Sequence, residues 1–161
     1  MESTRPAAAE DIPRVVELAE LMRAELAAMR GGRLWLERDA WPEPLEDAYD
    51  ALLARDEALV VLGTIDDVAF GFAAVVVEQL RSGVRLGVVT DLFVEPDARE
   101  VGVGEALVDA VLEHCTALGC IGIDATALPG HRAAKNFYEA HGFTARALAM
   151  HRHLEPGHLE P

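Results

Sequence analysis

The chain has 161 residues, 51% hydrophobic and 26% charged, with 28 acids against 14 bases and a formal charge of −14. That is one domain's worth of chain, long enough to bury a sizeable core and too apolar for disorder. The negative excess excludes a nucleic-acid binder, which phosphates would repel, and docking on an anionic membrane.

No apolar run approaches the ~18 residues of a membrane span, and Met1 to Pro6 has no basic patch before an apolar stretch, so neither span nor secretion signal is expected. Cys115 and Cys120 are too few for a disulfide framework. These features point to a cytoplasmic enzyme or binding domain, a single domain over 1–161 with 155–161 as a loose tail.

In chain order, Asp11 can cap a first helix and Pro13 sits in its first turn. Ile12, Val15, Val16, Ala19, Met22, Leu26 and Met29 recur at helical spacing until Gly31-Gly32. Residues 33–41 read as irregular and carry Trp35 and Trp41. A second helix is predicted over 44–55, with Leu45, Ala48, Tyr49, Leu52 and Leu53 inward. Strands follow at 58–65, 68–80 and 84–94, separated by turns at Asp66-Asp67 and Ser82-Gly83 and ended by Pro96. From Gly102 a strong helix places Val103, Leu107, Ala110, Val111, His114 and Leu118 on one face, and Gly119 stops it. A buried strand over 120–128, a short helix over 132–141 and a final strand over 144–154 complete the order ααβββαβαβ. An antiparallel meander followed by a strand–helix–strand crossover is an α+β fold, with a mixed, mostly antiparallel sheet flanked by helices.

The stretch 90–107, T-D-L-F-V-E-P-D-A-R-E-V-G-V-G-E-A-L, carries the chemistry. A strand ends, a short loop follows, and two glycines open a helix. The first turn of a helix offers unpaired N–H groups and a positive dipole end, and Gly102 and Gly104 let an anion approach the backbone. A P-loop is excluded because no Gly-Lys-Ser/Thr is present. A dinucleotide fingerprint is excluded because Leu107 stands where its third glycine belongs and eight residues separate Val94 from Gly102. The remaining pattern is R-x-x-G-x-G, formed by Arg99, Gly102 and Gly104. On the loop alone, a glycine pair serving tight strand–helix packing stays open.

The arrangement Arg99-x-x-Gly102-x-Gly104 resembles the pyrophosphate loop of the GNAT superfamily of acetyl-CoA-dependent N-acetyltransferases. Residues 131–143, H-R-A-A-K-N-F-Y-E-A-H-G-F, resemble the same family's N-x-x-A-x-x-[LF]-Y-x-x-x-G-F segment, with Ala134, Phe137, Tyr138, Gly142 and Phe143 in register and His131 in place of the asparagine. Two motifs in order, with the matching layout, extend the resemblance from about Arg5 to Leu154.

The resemblance implies acetyl-CoA as acyl donor, with no metal, and direct transfer to a primary amine in a ternary complex. Leu92, Phe93 and Val94 would pair with pantetheine and polarise the acetyl carbonyl. Arg99, Glu100, Val101, Gly102, Val103, Gly104 and Glu105 would hold the diphosphate, and His131 the pantetheine arm. Tyr138 is the implied general acid, because a phenol is protonated at neutral pH and can reprotonate a leaving thiolate.

The glutamate that several relatives use as base is Val88 or Thr126 here, which leaves Asp91. The D-L-F-V stretch and Asn136-Phe137-Tyr138 resemble diamine acetyltransferases, although Thr90 replaces their glutamate. Asp91 therefore stands as base or amine-holding carboxylate, with a local backbone-bonding role also open. Residues 34–58 hold eight acids and two bases, a net −6, beside Trp35, which suits a cationic amine through charge and cation–π contact. A solvated helix with an aromatic anchor would read the same. Asp124 and Thr126 read as an edge of the cleft, and His151 and His153 as surface residues rather than a metal pair.

Two other functions stay open: acetylation of protein N-termini or lysines, and a non-catalytic acyl-CoA-binding sensor. Homodimers are common among similar proteins.

Overall fold

The computed structural model describes residues 1–154. The expected tail at 155–161, with His158, lies outside the described residues. In chain order the elements are β1 (Glu2–Pro6), α1 (Ile12–Ala27), α2 (Gly32–Leu34) running into a π-helical turn (Trp35–Asp39), α3 (Leu45–Leu53), β2 (Leu59–Ile65), β3 (Val68–Gln79), β4 (Arg85–Val94), α4 (Val103–Ala117), β5 (Gly122–Ala125) and α5 (Arg132–Ala140).

The chain divides into two compact units, Met1–Met22 with Pro42–Thr126, and Arg23–Trp41 with the residues from Ala127 onward. The first unit holds the whole sheet, in the order β1-β2-β3-β4-β5. Its first four strands pair antiparallel, and β5 joins β4 in parallel after the α4 crossover. The α+β class and the mostly antiparallel sheet are therefore as expected.

The sheet's two faces follow from strand alternation. One buries Val61, Ala73 and Val75 against Val103, Leu107, Val111 and Cys115 of α4, with Val89, Leu92 and Val94 packed alongside. The other carries Phe72, whose ring meets Tyr49 of α3 edge-on at 5.9 Å. Helix α3 is amphipathic as predicted and buries Leu45, Tyr49 and Leu52. Helix α1 is tied to the sheet by Arg14, whose Nε and Nη2 donate to the Ala69 carbonyl at 3.2 and 2.7 Å, with Nη2 also 3.2 Å from Glu95.

Two strands differ from the expected five. The polar segment Glu2–Pro6 was not expected to be a strand, yet it pairs with β2 along its length. It is a mostly exposed edge strand, so ladder hydrogen bonds and the 2.9 Å Ser3–Thr64 hydroxyl pair hold it, leaving no apolar period to read. Conversely, the final strand expected over 144–154 is not formed among the described residues. Its alternating pattern is there, but Leu148 and Met150 are 82% and 90% exposed, and a strand exists only where a neighbour accepts its hydrogen bonds. The strand expected over 120–128 shortens to Gly122–Ala125, and the segment around Trp35, expected to be irregular, is helical.

Candidate functional site

Strand β4 is where the sheet opens. It pairs with β3 along its whole length, but its ladder with β5 covers only Leu86 to Val89 and ends at Ala125. Beyond that point the outer edge of residues 90–94 has no strand beside it among the described residues. Antiparallel alternation decides which groups face that edge. The Glu95 N–H donates to the Phe70 carbonyl at 2.8 Å, so Phe93 and Asp91 also direct their backbone groups to β3. Leu92 and Val94 turn theirs to the open edge. Of the three residues expected to meet pantetheine, those two present free-edge amides, while the Phe93 amide faces β3.

The opening coincides with a β-bulge. Ala74 pairs with Asp91 and Val75 with Val89, so Thr90 is the extra residue. The bulge reverses the face of everything before it. Val89 packs toward α4, whereas Asp91, two residues on, points to the α3 face.

Asp91 is 4% exposed and, with Thr64, one of the buried polar or charged residues among those described. Its Oδ1 accepts from the Tyr49 hydroxyl at 3.2 Å and its Oδ2 from the Thr90 hydroxyl at 3.0 Å. Thr90 Oγ1 also lies 3.3 Å from the Ala74 carbonyl, across the register shift. Sequence reasoning took Tyr49 for a core side chain. The available signal was chemical: a tyrosine on the buried face of a helix requires a partner for its hydroxyl.

From Val94 the chain makes a 3-10 turn at Pro96–Ala98 and reaches the glycine loop. Glu100 and Gly102 adopt left-handed conformations, φ 66° and 97°, and α4 begins at Val103, whose side chain is fully buried. A β-carbon at residue 102 would lie 3.1 Å from Glu2 Cγ and Oε1, an exposed side chain that can yield, so it is the left-handed conformation that calls for glycine there. No side chain caps the helix, so its first-turn N–H groups keep the unpartnered, positive character of a helix start. Arg99 is turned back toward β4. Its Nε donates to the Val94 carbonyl at 2.8 Å, and its guanidinium carbon stands 5.5 Å from the Phe93 ring centre. With Glu2, Glu100 and Glu105 around the turn, the donor set is backbone amides rather than side-chain cations. That set fits a diphosphate.

The remaining expected residues lie in the second unit. Tyr138 is half-buried on α5, its ring 5.2 Å from Phe143 and 5.9 Å from Phe137. His131 is the residue before α5, and its side chain makes no capping bond. Trp35 opens the π-helical turn, half-buried, with its carbonyl accepting from the Ala40 amide at 2.9 Å. The acids of α3 belong to the first unit, apart from Trp35. Asp124 is half-buried on β5 opposite Val88, and His151 is exposed.

A comparison with curated proteins finds no match. Solved structures do match. The chain is 16% identical to a putative acetyltransferase from Agrobacterium tumefaciens, covering 94% of this chain and 99% of that one at TM-score 0.72. It is 16% identical to glucosamine-6-phosphate N-acetyltransferase from Arabidopsis thaliana, covering 96% and 99% at TM-score 0.70. It is 19% identical to an aminoglycoside acetyltransferase from an uncultured soil metagenomic sample, covering 97% of each at TM-score 0.72. At these identities the likeness establishes the fold. The family follows from the match of residues 19–143, which include the open β4 edge, the glycine loop and the Tyr138 segment, to the model described as the acetyltransferase (GNAT) family. The chain belongs to the GNAT acetyltransferase family.

Proposed function

We propose that this acetyltransferase acts as a single domain, moving an acetyl group from acetyl-CoA directly to the primary amine of a small cationic acceptor in a ternary complex. The observation that carries this reading is the continuity of β4. A strand edge with open-edge amides at Leu92 and Val94 leads, within ten residues, into an uncapped helix start at Gly102–Val103. The first suits an amide-bearing arm and a carbonyl, the second a diphosphate.

Acetyl-CoA, when bound, supplies an activated acyl group. The chain's own contributions are separate. The amides of residues 99–105 hold negative charge, with Arg99 bracing the loop on Val94. An open-edge amide of β4 donates to developing negative charge on oxygen, a contribution of roughly 3 kcal/mol for a well-placed donor. Tyr138 donates a proton to the departing sulfur, and His131 contacts the arm of the donor. Asp91 is the proposed base and the charge that favours a cation. Because both its oxygens already accept from hydroxyls of Tyr49 and Thr90, a proton reaches it through a water. The acidic run 34–58 and the Trp35 ring favour the cationic acceptor. Two structural neighbours are named as acetyltransferases of glucosamine-6-phosphate and of aminoglycosides, both amino sugars, which supports amine chemistry on this fold.

The test is thiol release from acetyl-CoA against a panel of diamines, aminoglycosides, amino sugars, lysine peptides and acidic amines. Turnover concentrated on small cations is expected. Coenzyme A binding with no turnover on any amine would overturn the catalytic reading in favour of a sensor, and preference for peptides would overturn the acceptor class.

A further inference from the structure

The bulge at Thr90 is the pivot of β4, and nothing in the strand's own composition holds it there. The neighbours Val88, Val89 and Thr90 are all good strand formers, so their composition suits an unbulged strand equally well. Losing the bulge is not neutral. With residues 90–94 slipped by one along β3, Leu92 and Val94 would turn toward β3, Phe93 would take the open edge, and Asp91 and its neighbours would exchange faces.

Side chains from three elements converge on this point. Thr90 Oγ1 stands 3.3 Å from the carbonyl of Ala74, the β3 residue at the register shift, and 3.0 Å from Asp91 Oδ2. Asp91 Oδ1 takes the Tyr49 hydroxyl at 3.2 Å. Tyr49 is 1% exposed, on the buried face of α3, with its ring edge-on to Phe72. Phe72 in turn pairs directly with Phe93. The phenol therefore occupies one orientation, and a buried carboxylate has strong reason to stay with the donors it has.

We propose that Tyr49 is a positioning residue for acetyl transfer: through Asp91 and Thr90 it locks the β4 bulge in the register that turns the Leu92 and Val94 amides to the open edge. This rests on the reading above, in which that edge meets the acyl donor. Tyr49 touches neither substrate. It acts 42 residues away in sequence, through a carboxylate that two hydroxyls must share.

Tyr49→Phe tests this while keeping the ring against Phe72. Calorimetric binding of coenzyme A should weaken only severalfold, because the pantetheine contact at Leu92 and Val94 is lost while the 99–105 loop is untouched. The kcat should fall on the order of tenfold to a hundredfold, the scale of a misplacement of about 1 Å, and by more than KM for acetyl-CoA rises. Amide exchange should quicken at Asp91 and Phe93 and at their β3 partners Ala74 and Phe72, and not elsewhere in β3 or β4. Thr90→Val should reproduce both effects, and the double variant should be no worse than the poorer single one, as for groups acting in one network.

Wild-type kcat and exchange in Tyr49→Phe would overturn the proposal. So would a loss of kcat matched by faster exchange across the whole sheet, which is the mark of a merely structural tyrosine. If the wild-type protein itself turns over no amine, the functional reading fails, and the exchange measurement still decides whether Tyr49 holds the bulge.

Discussion

Gly104→Asp separates the fold of the glycine loop from its function. Gly104 is the second residue of α4. Within a helix glycine is worse than alanine by about 0.8–1.0 kcal/mol, and aspartate is less unfavourable, so the exchange gains a few tenths of a kcal/mol. A carboxylate in the first turn adds about 0.3–1 kcal/mol against the positive end of the helix, reduced by its neighbour Glu105. The melting temperature should thus stay level or rise by about 2–4 °C. Binding moves the other way. A carboxylate about 5 Å from one phosphate charge, at an effective dielectric near 20, costs about 3 kcal/mol, and roughly 2.7 kcal/mol is already a hundredfold in Kd. Coenzyme A affinity by calorimetry should fall at least about a hundredfold at low salt, and recover partly as salt screens the repulsion. Gly104→Asn adds similar bulk without charge and should lose less. Wild-type affinity in a folded Gly104→Asp protein would refute the diphosphate assignment. Lost affinity together with a lower melting temperature would refute the helix-start argument instead.

Tyr138→Phe should lower kcat by about a hundredfold and remove the alkaline limb of the pH–rate profile, and an unchanged profile would remove Tyr138 from the acid role. Asp11 accepts from both Arg5 terminal nitrogens, at 2.7 and 2.8 Å, and from the Ala8 amide at 2.8 Å, which hold its carboxyl at about 2 against an ordinary 3.8. Because the folded value is the lower one, this stabilisation is complete above about pH 4 and drains away as pH falls toward 2. Arg5 is 51% exposed, so screening brings a ceiling of about 2.4 kcal/mol down to about 1 kcal/mol. Asp11→Asn should therefore melt about 2–4 °C lower at neutral pH and match wild type near pH 2, and a difference independent of pH would sink the assignment. Cys115 is 1% exposed, and burial, with the neighbouring Cys120, pushes its thiol up to about 11. One thiol, Cys120, should react with a disulfide reagent in the native protein and two in denaturant, and equal native rates would contradict that burial.

How much of this was legible varies with the range of the interaction. The apolar periods of α1, α3 and α4 and the meander turns are local, and each element appeared within a few residues of its expected place. The helix start at Gly102–Glu105, on which the proposed diphosphate site rests, is equally local, because it needs only an uncapped first turn opened by a left-handed glycine. Strand β1 was invisible because its ladder with β2, not its side chains, makes it a strand. The 144–154 segment was over-read for the converse reason, since alternation promises a buried face but cannot supply a neighbour. Tyr49 looked like any inward residue of α3 until the fold brought its hydroxyl to Asp91.

The sequence by itself determined the α+β class, the position of the glycine loop and the family pattern, in a chain of charge −14. Only the tertiary structure decided which amides of β4 stand open. That depends on where β5 stops and on a bulge where side chains of α3 and β4 meet a β3 carbonyl, groups far apart along the chain that periodicity cannot bring together.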